Sequence, residues 1–228
     1  MQVHANGIDI YYEEEGEGLP ILLLHGNGED HTIFDRLVWY LQEDHKVFSI
    51  DTRGHGKSGK VESFHYSDMA EDVAALITEL GIKRPILYGF SDGGIVGLML
   101  AAKYPDMLSG LIASGPNLTP KDVKLSARLP MRLVNVFKRD PLVELMIREP
   151  NITDADLLKI RVPVLITIGE NDIITASRAE HIAEKVSDGR AIVVPGESHS
   201  SYIVHSDKLF PLITGFIKQV FSEGPTKG

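Results

Sequence analysis

Short, largely apolar runs alternate with longer amphipathic stretches along most of this chain. Ile21-Leu-Leu-Leu24, Pro85-Ile-Leu-Tyr88, Val162-Pro-Val-Leu-Ile-Thr-Ile168 and Ala191-Ile-Val-Val194 are bounded by Gly, Pro, Asp or Asn. Runs of that length and make-up read as buried strands rather than core helices. The pattern predicts strands near 2–5, 8–14, 20–25, 46–51, 85–90, 109–114, 163–169 and 191–195. Helices are predicted near 31–43, 66–80, 92–103, 176–187 and 206–222. Strands alternating with helices imply an α/β chain with a mostly parallel eight-stranded sheet covered on both faces. The first two strands, joined at Asn6-Gly7, form an antiparallel edge. The alternation breaks only at about 116–160, between the sixth and seventh strands.

The chemistry is concentrated at strand ends. Gly89-Phe-Ser-Asp-Gly-Gly94 follows one buried run and opens an almost entirely apolar helix, the setting of a G-x-S-x-G nucleophile elbow with Ser91 at its apex. So tight a turn crowds the backbone around the serine, and Gly89 and Gly93 keep side chains out of the way. A serine hydroxyl near neutral pH needs a histidine base, and the histidine needs a carboxylate to orient it. The run ending at Gly169 leads to Glu170-Asn171-Asp172, and the one ending at Pro195 leads to Gly196-Glu-Ser-His199. The order Ser91, Asp172, His199 is that of α/β-hydrolases. Asp172 is preferred to Glu170 and Asn171 because it lies deepest in the turn, ahead of Ile173-Ile174. Asn117 lacks the charge for that role. A tetrahedral intermediate also needs two backbone donors, here assigned to the amides of Asn27, in His25-Gly-Asn-Gly28, and Asp92.

With these elements in view, the chain resembles an α/β-hydrolase-fold serine hydrolase over nearly its whole length. Asp51-Thr-Arg-Gly-His-Gly-Lys-Ser-Gly59 is similar to the D-x-R-G-x-G-x-S segment after that family's fourth strand. Gly89–Gly94 and Gly115-Pro-Asn-Leu-Thr119 resemble the valacyclovir-hydrolase (biphenyl-hydrolase-like) branch, which cleaves amino-acid esters. The resemblance implies a carboxylic-ester hydrolase working without a cofactor on a small-molecule ester. The Asp92 side chain either caps its helix or offers an anion to a substrate ammonium. The same triad also serves thioesters, lactones, C–C bonds and perhydrolysis, and a hydrolase-fold ligand sensor can retain it. The break at 116–160 falls where the family inserts its cap, leaving 1–115 and 161–228 as the core domain. Leu125, Leu129, Leu133, Val136, Phe137, Leu142, Leu145 and Met146 form an apolar roof in this reading, over a fairly open, shallow pocket. Thr153 and Asp156 read as a capping box for a last short helix.

Composition narrows the rest. A chain of 228 residues, 43% hydrophobic, suits one well-buried core. Net charge is −9 with no prominent basic run, which argues against nucleic acid or an anionic membrane as partner. There is no cysteine, so no disulfide or thiolate metal site forms. Residues 1–10 lack the basic and apolar regions of a signal peptide, and a cytoplasmic protein is expected. Of nine histidines, His25 is assigned to ordering the oxyanion loop and His55 to packing in the 53–59 loop. His31 and His205 are placed at the entrance without a catalytic role. No H-E-x-x-H metal spacing occurs, and Gly54-His-Gly-Lys-Ser58 lacks the gap of a phosphate loop.

Overall fold

In the computed structural model, which describes residues 1–222 apart from the side chain of Val134, the apolar runs form one eight-stranded sheet. The strands are β1 (Gln2–Ala5), β2 (Ile8–Glu15), β3 (Leu19–Leu24), β4 (His45–Ile50), β5 (Ile86–Phe90), β6 (Gly110–Ser114), β7 (Val164–Gly169) and β8 (Gly189–Val194). Their spatial order is β1-β2-β4-β3-β5-β6-β7-β8. The first two pairings, β1 with β2 and β2 with β4, are antiparallel, and every later one is parallel. Parallel strands need crossovers, supplied here by α1 (Asp35–Leu41), α2 (Tyr66–Glu79), α3 (Asp92–Lys103) and α7 (Ala176–Lys185), with α8 (Phe210–Ser222) completing the cover.

Helices lie on both faces because the central strands are apolar on both. In β5, Leu87 points to a core shared with α2, α3 and α7. Its neighbours Ile86, Tyr88 and Phe90 point to another, shared with α1 and α8. Uninterrupted apolar strands are the sequence mark of such double burial.

The predicted helix at 31–43 is two elements. Asp30 accepts the Thr32 amide at 2.9 Å and starts a short 3-10 turn, His31–Phe34, before α1 begins. The last helix starts at Phe210 rather than 206. Between β6 and β7 lie α4 (Leu125–Lys138), α5 (Pro141–Arg148) and α6 (Asp154–Leu157). The expected capping box is present, with Thr153 and Asp156 bonding reciprocally. Among the described residues, no helix is long and apolar enough to cross a membrane.

Candidate active site

The strand ends bring the elements together. Ser91 sits between β5 and α3 with φ 50° and ψ −109°, a region in which a residue with a Cβ is strained by roughly 1–3 kcal/mol. Its surroundings hold it there. The Ser91 amide donates to the Ser114 carbonyl at 2.8 Å, and the Gly93 amide donates to the His25 carbonyl at 3.2 Å. A Cβ on Gly89 would stand 2.2 Å from the Gly93 oxygen, and one on Gly93 would stand 2.2 Å from the Leu24 oxygen. Both obstacles are backbone, so neither position admits a side chain.

His199 Nε2 lies 3.0 Å from Ser91 Oγ, and its Nδ1 lies 2.7 Å from Asp172 Oδ1. The same Asp172 oxygen accepts the Ile174 amide at 3.0 Å. Asp172 is buried, and its carboxylate fixes the ring with Nδ1 protonated and Nε2 facing the serine. Glu170 turns away to accept the Gly196 amide at 2.7 Å. Asn117 stays by the pocket, donating to the Thr119 carbonyl at 3.0 Å.

The loop after β3 is braced from beneath. His25 donates Nδ1–H to the Gly26 carbonyl at 2.7 Å and accepts the Thr52 amide on Nε2 at 3.1 Å. Burial holds its imidazole down to about 4, so it stays neutral. His55 accepts the Gly28 amide on Nε2 at 3.2 Å. The 53–59 loop that carries it is clamped to α2 by Arg53, which donates to both oxygens of Asp72 at 2.6 Å. With Gly26 and Gly28 amides engaged, the Asn27 and Asp92 amides find no acceptor among the described residues. Two backbone N–H groups beside the serine are thus left without a partner.

The Asp92 side chain does not cap its helix. Its carboxylate is buried in the pocket wall, accepting from Tyr66 Oη at 2.7 Å and Asn27 Nδ2 at 2.9 Å. Burial raises its carboxyl above the ordinary value, and those two hydrogen bonds oppose the rise. Sequence reasoning missed Tyr66, and it also missed Glu29, which accepts the Gly26 amide at 3.0 Å and whose carboxyl burial raises. The three-residue spacing from Gly26 to Glu29 was the available signal for the second. Nothing local marks Tyr66.

The expected roof needs correction. Leu125, Leu129, Leu133, Val136 and Phe137 face solvent, and Leu145 is buried beside a neighbouring groove. From the inserted segment it is chiefly Arg128, Met131, Met146, Ile147 and Glu149 that close over Ser91. Two anchors set this rotation of α4: Lys124 donates Nζ–H to the Asp172 carbonyl, and Asn135 donates to Glu144 of α5. Nor is the pocket open. Its free volume is about 30 Å³, narrowed by Met131, Met146 and Ile147. A groove of about 820 Å³ lies beyond Ile147 and Glu149, which line both spaces.

His31 is not at the entrance. It is buried, bonded to Asp51 at 2.7 Å and to Glu13 at 3.1 Å. His205 is exposed and pairs with Asp35 at 2.9 Å. Asp30, His31 and Asp51 could together offer three ligand atoms to a metal. However, the Asp51 oxygens already accept the His31 and Lys57 amides at 2.8 Å, so the cluster is built as a hydrogen-bonded brace.

Comparison with known proteins agrees with the geometry. The family model described as "alpha/beta hydrolase fold" matches residues 20–141. This chain belongs to the α/β-hydrolase family. It is 27% identical to the human protein named serine hydrolase BPHL, over 95% of this chain and 86% of that one. It is 26% identical to a pimeloyl-[acyl-carrier protein] methyl ester esterase of Neisseria meningitidis, over 92% and 82% of the two chains. A thermophilic esterase from Thermogutta terrifontis superposes with a TM-score of 0.78 at 23% identity, covering 96% of this chain and 98% of that one. That last likeness concerns the fold alone. Like these α/β-hydrolases, the present one is a hydrolase.

Proposed function

We propose that this α/β-hydrolase cleaves small carboxylic esters through an acyl-enzyme on Ser91. The observation that carries the reading is the unbroken hydrogen-bonded line from Asp172 through His199 to Ser91. In the first step the Ser91 oxygen bonds to the ester carbonyl carbon while its proton passes to His199 Nε2. The carbonyl oxygen becomes an oxyanion and is held by the Asn27 and Asp92 amides. His199 then gives its proton to the departing alcohol as the C–O bond breaks. A water deprotonated by His199 repeats the sequence in reverse and frees the acid. Asp172 keeps the imidazole oriented and stabilises its cationic form. Residues 116–160 act as the cap and 1–115 with 161–228 as the core. Replacing Ser91 with Ala tests the proposal: aryl-ester turnover and labelling by a fluorophosphonate should both disappear, and retention of either rejects it.

Preference for amino-acid esters is a narrower form of this reading, prompted by the similarity to BPHL and by the Asp92 carboxylate in the pocket wall. Both Asp92 oxygens already accept a hydrogen bond, so a substrate ammonium would have to bind as a third donor. If blocking the amino group of such an ester leaves kcat/KM unchanged, this narrower form falls while the esterase reading stands. A ligand sensor with slow turnover is the rival reading, since the fold does not fix the function. A single burst of product followed by a stable adduct would support that rival.

A further inference from the structure

Among the described residues, α4 carries the largest group of exposed bulky apolar side chains on any one element. Leu125, Leu129, Leu133, Val136 and Phe137 recur at helical spacing and all face solvent, from 52% exposed at Leu129 to 87% at Phe137. The other large exposed apolar residues occur singly, as Leu158 and Phe221 do, or as the neighbours Trp39 and Tyr40 of α1. Single exposed apolar side chains need no explanation, whereas a continuous ridge of five does.

Charge says what the ridge meets. The whole chain carries −9, but residues 121–139 hold six basic side chains and a single acidic one. The six are Lys121, Lys124, Arg128, Arg132, Lys138 and Arg139. The acidic one, Asp122, is paired with Arg178 at 2.6 Å. None of the six forms an ion pair among the described residues, but Lys124 is held on the Asp172 carbonyl and Arg128 lines the Ser91 pocket, which leaves Lys121, Arg132, Lys138 and Arg139 for an outside partner. Glu144 on the neighbouring helix is taken by Arg148 and Asn135.

We propose that α4 is a docking surface for an anionic lipid interface, with its apolar ridge in the headgroup–acyl boundary and its cations on lipid phosphates. An apolar ridge bordered by Lys and Arg has the make-up of helices that lie in such a boundary, where long basic side chains reach to the headgroups while their stems stay apolar. A second copy of the chain fits less well. A symmetric contact would set this cationic helix against itself. The net charge that argues against an anionic membrane for the whole chain is reversed on this one face. The opposite side of α4 contributes Arg128 and Met131 to the Ser91 pocket, so docking would set that pocket beside the lipid surface. The proposal concerns binding alone and does not rest on the ester reading.

The test is co-flotation of the full chain with vesicles of phosphatidylglycerol and phosphatidylcholine in equal parts, against vesicles of phosphatidylcholine alone. Binding is expected only to the anionic vesicles and should weaken as salt rises. The double variant Leu133→Ser, Phe137→Ser should lose it, and Arg132→Gln or Lys138→Gln should each weaken partition by about fivefold. Far-UV circular dichroism and melting temperature should stay at the parent level in all of them, which shows that they are folded. Equal binding to both vesicle types, no binding at low salt, or undiminished binding by the double variant would overturn the proposal. So would a dimer in sedimentation that the double variant dissolves, which would assign the ridge to a second copy.

Discussion

Asn27 Nδ2 donates to Asp92 Oδ2 at 2.9 Å, tying the loop after β3 to the residue that follows the nucleophile. These two residues also carry the two amides proposed for the oxyanion hole. One side-chain bond therefore sets the spacing of both backbone donors. Asn27→Ala should cut kcat about tenfold or more with little change in KM, because preorganised donors act on the transition state. Steady-state kinetics on a soluble ester checks this, and a loss confined to KM would contradict it.

The triad variants should fail together. Asp172→Asn, which keeps the shape and removes the charge, should lower kcat by roughly three to four orders of magnitude. His199→Ala and the double variant with Ser91→Ala should be no worse than Ser91→Ala alone, since the residues act as one unit. Additive losses would mean that they do not.

Gly89→Ala and Gly93→Ala should be far more damaging to stability than their size suggests. Each new Cβ would lie 2.2 Å from a backbone oxygen, and a strand and helix would have to separate to make room. Losses above about 4 kcal/mol are expected in denaturant unfolding. A loss below about 1 kcal/mol would show that the elbow can open.

His25 supplies a pH dependence. Burial depresses its folded value to about 4 from 6.5. As pH falls from 6.5 toward 4 the unfolded chain binds a proton that the folded one refuses, so stability declines through that window. The decline attributable to this group is at most about 3 kcal/mol. Asp92 and Glu29, whose carboxyls burial raises, act in the opposite sense and lose stabilisation as pH rises past their folded values. The difference between the parent and His25→Gln isolates the histidine. Melting temperatures of the variant should vary less between pH 6.5 and 4, and parallel curves would refute the assignment.

Met131→Ala and Met146→Ala should enlarge a pocket that now has about 30 Å³ free. Bulkier acyl esters should gain in kcat/KM relative to acetyl esters. An unchanged acyl-length profile would show that the cap moves aside during binding and that these side chains do not set the limit.

The sheet, its crossovers and the meeting of Ser91, Asp172 and His199 at one edge were legible in the chain because each depends on local or ordered patterns. Double burial makes β5 and β7 largely apolar, the elbow needs Gly89 and Gly93 beside Ser91, and Asp172 and His199 follow strands whose ends share one edge. The face that α4 turns toward Ser91 was not legible. Helical spacing separates its two sides, but both carry bulky residues, and the choice is made by Lys124 on the Asp172 carbonyl and Asn135 on Glu144. The same holds for Tyr66, 26 residues from Asp92 in sequence and 2.7 Å away in space, and for buried His31, held by Glu13 and Asp51. Periodicity encodes which side chains avoid water, whereas hydrogen bonds between distant segments decide which of them meet.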